Sequence, residues 1–196
     1  NTTGSYNKFL GDYAGYSNTC GGYNNYIGTL AAMWSTSGCY NNVIGYKAGL
    51  NSGGGENTII GFKAGYCNGG YRNILIGKCA GYSNGAYENI FMGSNAGKCN
   101  TTGNENLFIG NCSGKFNTTG YYNTFLGSTT GWCNTTGRYN TFLGAFAGLR
   151  NTTRKIAGKA YGGAKQKDEP ELDEELKGNQ HKIDANKNGK IDADDF

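Results

Sequence analysis

One short phrase, Asn-x-apolar-apolar-Gly, recurs through the first three-quarters of this chain at a near-constant interval, and few folds accept a period of that length. Taking its glycine as the anchor, the copies end at Gly11, Gly28, Gly45, Gly61, Gly77, Gly93, Gly110, Gly127 and Gly144, spaced 17, 17, 16, 16, 16, 17, 17 and 17 residues apart. Tetratricopeptide and ankyrin units, at about 33 residues, need twice that length for their paired helices. Collagen requires glycine at every third residue with abundant proline, whereas this chain has a single proline, Pro170. The apolar residues are periodic and rich in aromatics, which is the reverse of a disordered composition.

Each column of the repeat has its own chemistry. Four residues before the anchor, every copy holds asparagine: Asn7, Asn24, Asn41, Asn57, Asn73, Asn89, Asn106, Asn123 and Asn140. Two before it stand Phe9, Tyr26, Val43, Ile59, Leu75, Phe91, Phe108, Phe125 and Phe142, and one before it Leu10, Ile27, Ile44, Ile60, Ile76, Met92, Ile109, Leu126 and Leu143. Three after it comes a small residue, alanine in seven copies with Ser113 and Thr130 in the others, followed by glycine except at Ala32. Aromatic and β-branched columns between glycine-rich corners favour short strands. The expected fold is all-β, a β-solenoid or β-roll of nine coils of 16–17 residues over residues 1–150, about 43 Å long if coils stack at the usual strand spacing.

Two consequences follow from stacking. Side chains of the asparagine column can donate and accept along the axis, forming a ladder. Adjacent strand residues point to opposite faces, so only one of the two apolar columns can enter the narrow interior of its coil. The other is expected to form an exposed stripe, larger than a monomer usually leaves uncovered, and hence to be buried by another copy in a trimer or a helical filament. A bend that turned both residues inward is the alternative.

The run Asn57-Thr58-Ile59-Ile60-Gly61-Phe62-Lys63-Ala64-Gly65 resembles the head repeats of trimeric autotransporter adhesins, and similar glycine- and asparagine-rich repeats occur in viral fibre proteins. The resemblance covers residues 1 to about 150 and implies a β-roll, trimerisation and a place on a cell or virion surface. The many tyrosines and cysteines depart from the adhesin pattern.

Seven cysteines suggest an oxidising setting, although an odd number cannot all pair within one molecule. Cys67, Cys99 and Cys133 share one column and Cys79 and Cys112 another, each at two-coil intervals. That separation, about 9.6 Å, is too long for a bridge. Asn1, Asn100, Asn117, Asn134 and Asn151 begin Asn-Thr-Thr, and Asn111 begins Asn-Cys-Ser. All six fit the N-glycosylation pattern, and turn chemistry accounts for the Asn-Thr-Thr runs equally well. Tyr6, Tyr23, Tyr40, Tyr122 and Tyr139, in the column before asparagine, can stack between coils or present rings to sugars.

Charge divides the chain. Residues 1–167 carry 14 Lys/Arg against 4 Asp/Glu, and residues 168–196 carry 4 against 10. Residues 151–167 read as a basic linker and 168–196 as an acidic tail, with a short helix expected over Asp168 to Lys177. Within the tail, Asp184-Ala185-Asn186-Lys187-Asn188-Gly189-Lys190-Ile191-Asp192-Ala193-Asp194-Asp195 fits a calcium loop. Asp184, Asn186, Asn188, Lys190 through its carbonyl, Asp192 and Asp195 would supply the oxygens, so Ca2+ is the one cofactor expected. This loop resembles the dockerin type of EF-hand. The wider ending from Lys177 resembles tails on structural proteins of bacteriophages from aquatic environments.

No nucleophile, base and acid set appears, and Asp12, Glu56, Glu88 and Glu105 are expected on distant coils. No segment is apolar enough to span a membrane. The sequence therefore points to a non-enzymatic, self-assembling fibre protein, extracellular or on a virion surface, most simply a bacteriophage fibre or appendage used in attachment. Cell-surface glycans are candidate partners, and nucleic acid is not expected. An adhesin or extracellular filament subunit is the first alternative and an ice- or glycan-binding solenoid the second. A solenoid enzyme acting on glycans would need clustered carboxylates.

Overall fold

In the computed structural model, which describes residues 3–151 and 159–161, the chain is a parallel β-solenoid of about eight turns with no helix among the described residues. The strands are three residues each: β1 (Lys8–Leu10), β2 (Asn25–Ile27), β3 (Asn42–Ile44), β4 (Thr58–Ile60), β5 (Ile74–Ile76), β6 (Ile90–Met92), β7 (Leu107–Ile109), β8 (Thr124–Leu126), β9 (Thr141–Leu143) and β10 (Lys159–Tyr161). They form one ten-stranded sheet in sequence order, every pair parallel. The register keeps the repeat columns together, as in Phe91↔Phe108 and Met92↔Ile109. The eight intervals from β1 to β9 span about 38 Å. Strand β10 lies within 151–167, the stretch read from sequence as a linker, and continues the sheet with Ala160 opposite Phe142.

The anchor glycines end the strands. Their φ values lie between 105° and 137°, in a region that L side chains rarely adopt. A Cβ on Gly61 would also lie 2.6 Å from the carbonyl oxygen of Gly77 in the next coil. The inner apolar column is the one two before the glycine, and from Tyr26 to Phe142 all of its members are buried. Phe91, Phe108, Phe125 and Phe142 stack with centroids 4.9, 4.7 and 4.8 Å apart, matching the coil spacing. Bulky rings fit because the facing wall is small: Ala14, Ala31, Ala48, Ala64, Ala80, Ala96 and Ala147 belong to the same core, and Gly97, Gly114, Gly131 and Gly148 leave their Cβ space to the rings of Phe91, Phe108, Phe125 and Phe142.

Two ladders close the interior. In the first, the backbone N–H of Asn106 donates to Oδ1 of Asn89 at 2.9 Å, and Asn106 Nδ2 donates to the Gly120 carbonyl at 2.8 Å. Equivalent backbone-to-side-chain bonds link all nine members from Asn7 to Asn140. The second was not foreseen. It runs through Asn68, Asn84, Asn100, Asn117, Asn134 and Asn151, each amide donating to Oδ1 of the one before at 2.7 to 2.9 Å. Buried amides so satisfied avoid the penalty of unpaired polar groups.

Candidate functional site

With the interior filled by its own side chains, what this molecule offers a partner is its surface, and the flattest part is the outer face of the sheet. Strand alternation sends the column one before the glycine outward, together with the column three before it. Phe142 is 0% exposed and its neighbour Leu143 is 44% exposed. Leu10, Met92 and Ile109 are likewise exposed, and Ile27, Ile44, Ile60, Ile76 and Leu126 are half-buried. The expected stripe is therefore present, and no bend turns both columns inward.

The second outward column differs between the middle and the ends of the rod. It reads Lys8, Asn25, Asn42 and Thr58, then Ile74, Ile90 and Leu107, then Thr124 and Thr141. Over β5, β6 and β7 both outward columns are thus apolar, giving a patch of Ile74, Ile76, Ile90, Met92, Leu107 and Ile109.

The two edges of this face carry opposite charge. On the edge preceding the strands, residues five before the glycine take φ of 54° to 61°, which turns the chain and points their side chains outward. Left-handed conformation costs a non-glycine residue about 1–2 kcal/mol. Each N–H in this column after the first donates to the preceding coil, as Glu56 does to the Cys39 carbonyl at 2.8 Å and Glu88 to that of Tyr71 at 3.0 Å. The column stacks Tyr6, Tyr23 and Tyr40 at 4.8 and 5.0 Å and Tyr122 with Tyr139 at 5.1 Å. Between those tyrosines it carries Glu56, Arg72, Glu88 and Glu105.

Three of the four carboxylates expected on distant coils therefore share one edge within four coils. Counting residues from the anchor would have shown it, since Glu56, Glu88 and Glu105 each stand five before a repeat glycine. Arg72 hydrogen-bonds Glu88 and lies 3.6 Å from a Glu56 oxygen. The neighbouring Glu105 carboxylate, as a hydrogen-bond acceptor for the protonated phenol and through its charge, holds Tyr122 above its ordinary pKa. Beside this row a groove of about 310 Å³ is lined by Tyr71, Arg72, Tyr87, Glu88, Asn104 and Glu105.

On the opposite edge, just past the glycine, Lys47 and Lys63 hold their ammonium groups 5.2 and 5.3 Å from the ring centroids of Tyr46 and Phe62, and Lys78 follows one coil on. The two rings are stacked at 5.6 Å.

The remaining sequence candidates fall as follows. All seven cysteines are free thiols. Asn100, Asn117 and Asn134 are buried members of the second ladder, and the nitrogen that would carry a glycan is the one donating. A glycan at any of them requires that bond to be given up. Asn111 is exposed, Asn151 half-buried, and Asn1 lies outside the described residues. The calcium loop, Asp184, Asn186, Asn188, Lys190, Asp192 and Asp195, and the helix expected over Asp168 to Lys177 also lie outside them. No family model matches the chain, and no similar curated protein or solved structure was found.

Proposed function

We propose that this chain is a non-enzymatic structural fibre protein, a stiff rod that self-associates and is displayed on the outside of a virion as a fibre or appendage used in attachment. The reading rests chiefly on the outward apolar column, unbroken from Leu10 to Leu143 beside an inner column the chain has already buried. Covering such a face releases water from apolar area, and nothing within a coil can reach round to cover it. A bacterial adhesin or extracellular filament subunit would use the same face. Neighbouring capsid or tail genes favour the first setting, and an adjoining membrane anchor or secretion signal favours the second.

The test is sedimentation and native mass measurement of the full chain across a range of concentrations, alongside Ile76→Asp and Ile109→Asp variants. Assemblies that the variants dissolve into folded monomers support the reading. A wild-type rod that stays monomeric at high concentration removes it. A second reading, a glycan-binding solenoid, draws on the groove at Tyr71 and Tyr87, where ring surface adjoins carboxylate, amide and guanidinium groups. Saturable binding of soluble oligosaccharides, lost in a Tyr87→Ala variant, would favour it.

A further inference from the structure

Self-association says that the sheet face is covered but not how the two rods run. We infer that the occupant is a second copy of this chain packed face to face in the parallel sense, about a two-fold axis along the rod. The inference rests on the proposed self-association and adds its geometry.

Sequence order within a coil is also spatial order around it. In the coil of β4 the outward residues run Glu56, Thr58, Ile60, Phe62, Lys63; in that of β5 they run Arg72, Ile74, Ile76, Lys78. In the coil of β6 they run Glu88, Ile90, Met92, Ser94, and in that of β7 Glu105, Leu107, Ile109, Asn111. Across the middle of the face an apolar strip therefore lies between an edge with three carboxylates and one guanidinium and an edge with Lys47, Lys63 and Lys78. The first edge has an excess of negative charge because Arg72 alone serves both Glu56 and Glu88, while Glu105 is followed in the column by the tyrosine Tyr122.

Two ways of opposing this face to itself have two-fold symmetry, and charge separates them. With the axis along the rod, the left edge of one copy lies against the right edge of the other at the same coil level. Edges of opposite net charge then meet: Glu56 faces Lys63 on one level and Glu88 lies one coil from Lys78, while Arg72 shares its level with Lys78. With the axis across the rod, the copies run antiparallel and each edge meets itself, carboxylates against carboxylates and lysines against lysines. Opposed like charges at an interface rim are unfavourable and opposite charges steer and hold the pair. A copy of this chain also has the same spacing of about 4.8 Å between ridges, so side chains of one rod can fill the grooves of the other along the whole face. Three-residue strands span about 10 Å, so the flat face is about 38 Å by 10 Å, roughly 380 Å² per copy, and side chains on the two corners widen the contact.

The experiment measures dimer dissociation of the full chain by sedimentation at several salt concentrations. The wild type is compared with Glu88→Gln/Glu105→Gln, with Lys63→Gln/Lys78→Gln, and with a variant exchanging both edges, Glu88→Lys/Glu105→Lys with Lys63→Glu/Lys78→Glu. Of the four positions, Glu88, Glu105 and Lys78 are exposed and Lys63 is half-buried, and thermal melts check that each variant folds. Parallel pairing predicts that either neutralised variant dissociates on the order of tenfold more readily, that added salt weakens the wild type, and that the exchanged variant recovers. Antiparallel pairing predicts the opposite, tighter dimers on neutralising either edge and in salt. That result, or no change at all, overturns the inference while leaving self-association intact. A trimeric mass overturns face-to-face pairing. A monomeric wild type instead removes the reading on which the inference rests.

Discussion

Phe142 and Leu143 are neighbours in the chain and alike in chemistry, yet one is sealed inside the coil and the other stands on its surface, and the same is true of the pair in nearly every coil. Backbone parity makes the division. The asparagine four before the glycine must face inward to reach its ladder, so the residue two after it faces inward as well, and the last strand residue cannot. Volume then decides what each column holds. The inner one meets alanine and glycine on the facing wall and is filled by rings or branched aliphatics, stacked on their own kind above and below. The outer one lies on the coil surface, half-buried or exposed among the described residues. Apolar character is thus completed by folding in one column, and under the proposed self-association it is left for a second molecule in the other.

The largest expected effect comes from opening the inner column. Phe108 contacts a ring on each side, at 4.9 Å from Phe91 and 4.7 Å from Phe125, so Phe108→Ala removes two stacks and leaves a cavity. A loss of about 3–5 kcal/mol is expected in denaturant unfolding, with the damage centred on the adjoining coils because each contacts only its neighbours. A loss below about 1 kcal/mol would mean that the column is not tightly packed.

Tyr26 gives a smaller and pH-dependent effect. It is the one inner-column residue with a titrating group, and burial pushes its phenol from 10.0 up to about 12, against smaller opposing effects of Asn41 and Ser35. The native coil therefore keeps this proton after the unfolded chain has lost it. Stability is intact below the unfolded value of 10 and falls as pH rises toward 12, by up to about 3 kcal/mol. The exposed tyrosines titrate in both wild type and Tyr26→Phe, so the difference between the two unfolding curves isolates the inner position. Parallel pH profiles would show that the Tyr26 hydroxyl reaches water.

Much of this was readable beforehand, and the residues that were not share a physical reason. The period, the inward asparagines and the presence of an outward apolar stripe follow from spacing and alternation. Which apolar column goes inside was legible too, through Lys8, Asn25 and Asn42 three before the glycine, since polar residues mark the outward parity. The second ladder was hidden because Asn100, Asn117 and Asn134 stand in Asn-Thr-Thr runs that read as turns or sequons, and because Ser35 and Ser52 replace asparagine in two coils. The corners on either side of the sheet were hidden more deeply. Left-handed backbone normally advertises itself by glycine or asparagine. Here Tyr, Glu and Arg take it on one edge, and Lys47, Lys63 and Thr129 on the other, held by hydrogen bonds to the preceding coil. The charge asymmetry of the candidate face depends on those corners, so it appears only once the coils are stacked.

The outer column should give the smallest change in stability, and that is where the comparison can be broken most cleanly. Met92 is 38% exposed and follows Phe91, which is fully buried. Met92→Thr removes apolar area that is already partly wet, and threonine suits a strand, so measured below the association concentration the cost should stay within about 1 kcal/mol. Phe91→Thr at the adjacent position should cost at least three times as much, because it empties the core and buries a hydroxyl. If the two losses were equal, the outer column would be packed by its own chain, and no partner would be needed to cover it. If Met92→Thr leaves the monomer unchanged and loosens the assembly, the column's apolar character serves association alone.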